Sequence, residues 1–214
     1  MRSIFKLLVG VVAILCVGCE LDDTALKNSK TYTIQDIPDV IVLSNGVDVI
    51  VDKTLPKDQI YALTNYNHFD RLSIEVVDGT LHIGIVNAIF GNKRYLVYIP
   101  SLAYNSIKIG GGSLFTWEDC NSDTLMIEST GGSELKVKGA TQQLNIKASG
   151  GSDVDCRECN AEDVTVVASG GADIDIVANK TLSLTASGGS DIHITGSPQI
   201  LLWEVSGGSD VEFN

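Results

Sequence analysis

Paired glycines punctuate the second half of the chain at a nearly constant interval. The segments read IGGGSLFTW, STGGSELKV, ASGGSDVDC, ASGGADIDI, ASGGSDIHI and VSGGSDVEF, with the first glycine of each pair at Gly111, Gly131, Gly150, Gly170, Gly188 and Gly207. The spacings are 20, 19, 20, 18 and 19 residues. Six copies at this period define a repeat protein, in which no single copy can bury its apolar face alone.

Each copy carries two alternating stretches. After the glycines, apolar or small residues fall at every second position, as in Ser133, Leu135, Val137 and Ala172, Ile174, Ile176. Before the next pair the pattern recurs, as in Leu144, Ile146, Ala148 and Leu201, Trp203, Val205. Period two means strands with one buried face, and helical spacing is missing. About 19 residues thus hold two strands and two turns: the glycine corner and a variable stretch such as Lys138-Gly139-Ala140-Thr141. A hairpin meander would not set identical strands side by side. Every copy repeats both strands in one order, so the simplest packing lays each strand on its counterpart one period later, a parallel β-helix. Small residues flanking the corner, Ala148, Ala168 and Ala186 before it and Ser152, Ala172 and Ser190 after, suit converging sheets.

The stacking also orders the outward positions. Asp153, Asp173, Asp191 and Asp210 fall in one row continuing from Glu134; Lys136, Asp155, Asp175, His193 and Glu212 fall in a second. Like charges about 4.8 Å apart repel by about 0.9 kcal/mol at the dielectric of water. Such rows keep an extended sheet soluble and deter edge pairing. They are also a candidate site for a cation or a cationic partner. No cofactor is expected, with calcium bridging the aspartates as the alternative. The glycine-aspartate pattern lacks the third glycine of the calcium-binding nonapeptide GGxGxDxUx, and its period is double.

Residues 31–100 lack the glycine corner but read as strands: Thr31–Gln35, Val40–Leu43, Val47–Asp52, Ile60–Leu63, Leu72–Val77, Thr80–Ile85 and Tyr95–Ile99. Asn45-Gly46 and Asp78-Gly79 are tight-turn signals between alternating runs. This half is expected to cap the repeat coils of 101–214 within a single domain spanning 31–214. At the other end Val211 and Phe213 leave a final coil without a cap, where a partner or a second copy could dock.

The first 18 residues have the layout of a secretory leader: Arg2 and Lys6, an apolar run from Leu7 to Val17, then Gly18. Gly18 before Cys19 resembles a lipobox, which makes Cys19 the expected lipidation site and residues 19–30 a tether; an ordinary signal peptide is the alternative. Glu20, Asp22 and Asp23 resemble a surface-export signal of some Gram-negative lipoproteins. The expected place is the cell envelope, as an outer-membrane lipoprotein facing the cell surface. The chain carries 15 Lys and Arg against 27 Asp and Glu, a net charge of −12; losing Arg2 and Lys6 with the leader makes it −14. That excludes a basic nucleic-acid binder.

Cys120, Cys156 and Cys159 remain in the expected mature chain. Cys156 and Cys159 form a CxxC with no companion pair or histidines for zinc, so a local disulfide or buried thiols are expected. Arg157 is the one arginine of the repeat half and the candidate base for a divergent polysaccharide lyase; the aspartates recur in each coil, whereas a catalytic site should break the repeat. His68, His82 and His193 lack catalytic context and read as surface side chains, and Trp117 and Trp203 align with inward positions.

With these features the chain resembles the auto-transporter adhesin head domains, also called GIN domains, over residues 31–214. The resemblance rests on Asn45-Gly46-Val47 and its following strand, the VDGTLHI segment (Val77–Ile83), the strand ending in Ile99-Pro100, and the glycine-serine corners. It implies a right-handed parallel β-helix without catalytic residues and a role in surface attachment to a host or cell-surface glycan or protein, with trimers by analogy. The expectation is a non-catalytic envelope adhesion module; the alternatives are a calcium-binding structural module and a divergent polysaccharide-active enzyme.

Overall fold

The protein is described by a computed structural model covering residues 8–10, 26–86 and 94–214. Cys19 and the rest of the expected leader lie outside the described residues, apart from β1.

The strands, in chain order, are β1 (Leu8–Gly10), β2 (Asn28–Thr33), β3 (Val40–Ser44), β4 (Asp48–Asp52), β5 (Gln59–Thr64), β6 (Leu72–Val77), β7 (Thr80–Ile85), β8 (Tyr95–Pro100), β9 (Ser106–Ile109), β10 (Leu114–Gly131), β11 (Glu134–Gly150), β12 (Asp153–Gly170), β13 (Asp173–Ala186), β14 (Asp191–Thr195), β15 (Gln199–Val205) and β16 (Asp210–Phe213). A single 3-10 turn, Phe69–Arg71, is the described helical element. From β9 onward the strands form a parallel β-solenoid of about 5 turns with coils about 20 residues apart. β2 starts at Asn28, so the sheet takes in the last residues expected of the tether.

The coils stack in the register that the repeat implies. Leu135 lies on Phe115, Val154 on Leu135, Ile174 on Val154 and Ile192 on Ile174, all fully or almost fully buried. A second inward row runs Ile107, Ile127, Ile146, Val166, Leu184. β10, β11 and β12 each run through the second turn of a coil without losing their ladders, with bulges at Trp117/Cys120, Lys136/Lys138 and Cys156/Asn160. Each fully buried Val, Leu or Ile contributes about 1.5–3 kcal/mol. The alternation puts two or more such residues on the inward face of each coil from β11 to β13.

At the corners from Gly131 onward only the first glycine of each pair is forced, whereas Gly111 and Gly112 both have positive φ, +66° and +75°. Gly170 has φ +74°, and an added Cβ would lie 3.0 Å from the backbone nitrogen of Gly150. Its neighbour Gly171 donates its N–H to the Gly150 carbonyl at 2.7 Å, which carries the ladder round the bend.

The N-terminal half does more than cap. β3 and β4 form a layer stacked directly under β9 and β10, with Ile41 on Ile107 and Val49 on Phe115. β7 and β8 form the next layer out, with Leu81 on Ile41 and Val97 on Val49. The layers are therefore out of chain order: β3–β4 sits between a layer made later and the solenoid. Asn45-Gly46 is a solenoid corner and not a hairpin turn. Asn45, at φ +62°, takes the position held by Gly111 in the next coil, as asparagine can. Asp78-Gly79 does close a hairpin, β6–β7. The capping is done by antiparallel strands: β5 covers the edge of β8 with β2 outside it, and β6 covers β7. β1, inside the expected leader, pairs with β2.

In the final coil the expected inward set Leu201, Trp203, Val205 needs correction. A bulge between Ile200 and Leu202 puts Ile200 over Leu182, and Leu201 is 60% exposed. Trp203 keeps its register over Leu184 yet is 42% exposed, because no described strand lies beyond it.

Candidate functional site

The outer face of the strands that follow the glycine corners carries both predicted rows. Glu134, Asp153, Asp173, Asp191 and Asp210 are successive Cα partners across five coils. Four steps of about 4.8 Å make a straight array about 19 Å long. All five side chains are exposed, and none belongs to an ion pair among the described residues. Asp48 lies in the same row two coils earlier, past Leu114, but is paired with Arg94 at 2.7 Å.

The second row behaves differently because cations are interleaved with it. Lys136 Nζ is 3.1 Å from Asp155, and Arg157 folds back from its turn to give two hydrogen bonds of 3.0 Å to the same carboxylate. Its Nε also lies 3.4 Å from Asp175, and His193 Nδ1 approaches Asp175 at 3.5 Å and Nε2 approaches Glu212 at 3.9 Å. The Arg157 hydrogen bonds hold Asp155 well below the usual carboxylate range. Burial pushes Asp153 up, with the Asp173 and Glu134 charges adding to it. Asp175 is also raised, by burial first, against the pull of Arg157 and His193. Glu134, Asp153 and Asp173 of the first row and Lys136, Asp155, Asp175 and His193 of the second, with Arg157 and Asn214, line a groove of about 620 Å³.

Several sequence-derived candidates resolve in this frame. The carboxylates form a line and do not converge: among the described residues no group of three or more His, Cys, Asp or Glu side chains surrounds a point where a metal ion would sit. Arg157 is held as a charged partner of Asp155. Its bonds to Asp155 stabilise the charged guanidinium and raise its pKa further. His68 contacts Asp70 at 3.3 Å and stacks on Tyr66, and His82 is exposed on β7. Trp117 is 1% exposed and donates to Asp119 at 3.0 Å, so it is a core residue.

Cys120, Cys156 and Cys159 are free and buried. Burial pushes the Cys156 thiol up, and the contact with Cys120 together with burial does the same to Cys159. Cys120 and Cys159 each stack on Gly139, from opposite sides. Their Cα atoms are two coils apart, about 9.6 Å, too far for a disulfide. Cys156 and Cys159, the pair expected to bridge, are free as well, so the local disulfide is not formed and the three are buried thiols. The interleaving of Arg157 with the second row is what sequence reading missed; its signal was the turn position directly after Asp155 and Cys156.

The fold is a parallel β-solenoid whose strands after the glycine corners carry the two charged rows on one face. Residues 38–198 match the family described as "Putative auto-transporter adhesin, head GIN domain", and the chain belongs to that family. A crystal structure of a putative adhesin from Bacteroides fragilis is similar, with 18% identity, TM-score 0.67, and coverage of 87% of this chain and 96% of that one. So is a putative lipid binding protein from Parabacteroides distasonis, with 17% identity, TM-score 0.54, and coverage of 87% and 97%. At those identities the likeness is one of fold. No curated protein matches the chain.

Proposed function

We propose that this chain is a non-catalytic module of the Gram-negative cell envelope, anchored in the outer membrane through a lipid on Cys19, that adheres to a surface or ligand through its acidic row. One observation carries the reading: five carboxylates stacked in register with no ion pair among the described residues, beside a row in which Lys136, Arg157 and His193 do form them. If solubility were the purpose, both rows would serve equally well bare. Neighbouring carboxylates repel by about 0.9 kcal/mol per step in water, and a partner with basic groups at matching intervals relieves every step at once. Family membership supports an adhesin-like role at the cell surface. The partner class is a glycan or protein that presents amino or guanidinium groups.

The test is an array of glycans and matrix proteins probed with cells displaying the chain, with Cys19→Ser as the release control that moves the chain to the soluble fraction. The strongest ligands are expected to be cationic, with binding that weakens as salt rises. Joint replacement of Asp153, Asp173, Asp191 and Asp210 by Asn should reduce binding at least about tenfold, or about 1.4 kcal/mol. Binding indifferent to salt and to the four substitutions would refute the reading. So would turnover of a uronic-acid polymer abolished by Arg157→Ala.

A further inference from the structure

The two ends of the stack are finished in opposite ways. At the β7–β8 end each strand edge is paired, β8 with β5 and β7 with β6, and the inward residues Ile60 and Ile74 are 0% and 4% exposed. At the other end no described strand lies beyond β15 or β16. The inward row of Ile127, Ile146, Val166 and Leu184 finishes in Trp203, 42% exposed, and the row of Val137, Cys156, Ile176 and Ile194 finishes in Phe213, 50% exposed. Both rows enlarge at their last member, where a water-facing end would turn polar. The rings stack across the mouth of the coil, with centroids 5.8 Å apart and planes 17° apart. Ile200, Leu201, Leu202 and Val205 of the same strand β15 are exposed as well. Val77, Val86, Met126 and Val167, the other exposed large apolar residues among those described, lie outside β15 and β16. A contiguous apolar patch of this kind marks an interaction surface.

We infer that a second copy of this chain covers the last coil, end to end, in a two-fold dimer. The surface to be matched is a pair of parallel strand edges, each with a free row of N–H and C=O groups, flanking an apolar stripe at the separation of the two sheets. The same coil end of another copy has those rows and that stripe at the same separation. A two-fold axis across the coil end sets the edges of the two copies antiparallel, which completes the ladders, and lays ring pair on ring pair. Assembly closes at two, because a two-fold contact uses the same coil end of both copies and leaves no second copy of that surface free.

Sedimentation of the full chain, processed by the expressing cell and held in density-matched detergent, should give a two-chain mass at micromolar concentration. Trp203→Glu should give single chains, a loss of at least about tenfold in association, whereas Met126→Glu should leave the dimer intact. Should the Trp203 variant not fold, the unaltered chain still answers. Its fluorescence should shift to the blue with concentration, since Trp203 becomes covered while Trp117 is already buried. Replacement of the four row aspartates by Asn should leave the mass unchanged, which separates this inference from the adhesion reading. A chain that stays single at about 100 μM, where weaker association is marginal, overturns the inference. Larger open-ended assemblies, a dimer indifferent to Trp203→Glu, or single chains that bind phosphatidylcholine vesicles through this end would overturn it equally.

Discussion

A methyl group added at Gly139 would sit 2.2 Å from the carbonyl oxygen of Cys120 and 2.8 Å from its nitrogen, at φ +126°. The obstacle is the backbone of Cys120, which cannot swing aside as a side-chain tip would, so Gly139→Ala should cost about 3 kcal/mol or more in urea denaturation. Gly132, the second member of a corner pair, has no positive φ and open space around its Cβ. Gly132→Ala should be neutral or stabilise by up to about 1 kcal/mol through the unfolded chain. The pair was legible in the sequence, but which glycine matters was not, because that depends on the backbone one coil below. Titration at the charged face has two opposite signs. Asp153 is raised in the folded chain, so its charged form opposes folding at neutral pH and the opposition fades as pH falls toward the ordinary carboxylate pKa. Asp155 is depressed by Arg157, so its stabilisation is complete above about pH 4 and is lost as pH falls below that. Thermal melts should show Asp153→Asn more stable than the parent at pH 7, with the gain vanishing near pH 4, and Arg157→Ala less stable at pH 7, with the deficit shrinking as the medium turns acidic.

Among elements, the β3–β4 layer depends on contacts reaching across the chain. Ser113 Oγ accepts the N–H groups of Gly46 at 3.1 Å and Val47 at 3.3 Å, and Asn45 Nδ2 donates to the Ile85 carbonyl at 3.0 Å. One serine thus satisfies two backbone donors of the layer below. Ser113→Ala should therefore cost about 1–3 kcal/mol, read as a lowered urea midpoint with unchanged slope. Ser152, at the same corner position two coils on, has an Oγ with no hydrogen-bond partner among the described residues, so Ser152→Ala is the natural comparison. The alternation that places β3, β4, β7 and β8 as strands is visible in the sequence, and their bounds agree with the structure to within a residue or so. Their identity as coils was hidden because Asn45 replaces the first corner glycine and the layers stack out of chain order. Leu201 shows the same limit: alternation placed it inward, and a one-residue bulge turned it out.

Across the whole molecule the residues sort by face. Corners and inward rows hold the column together, the face after the corners carries charge, and the last coil carries exposed rings. A lipid at Cys19 would tether the chain from the side of its capped N-terminal layers, leaving the acidic row and the aromatic end for other partners. The period and alternation by themselves determined a parallel stack, its inward rows and the line of carboxylates, because in a stacked repeat each residue's neighbour is its own counterpart one period away. Only the tertiary structure decided what departs from the period. It set the order of the N-terminal layers, the capping of one end by antiparallel strands, the folding of Arg157 onto Asp155 and Asp175, and the exposure of Trp203 and Phe213. Each of those rests on contacts between residues that no repeat relates, and a local pattern holds no information about them.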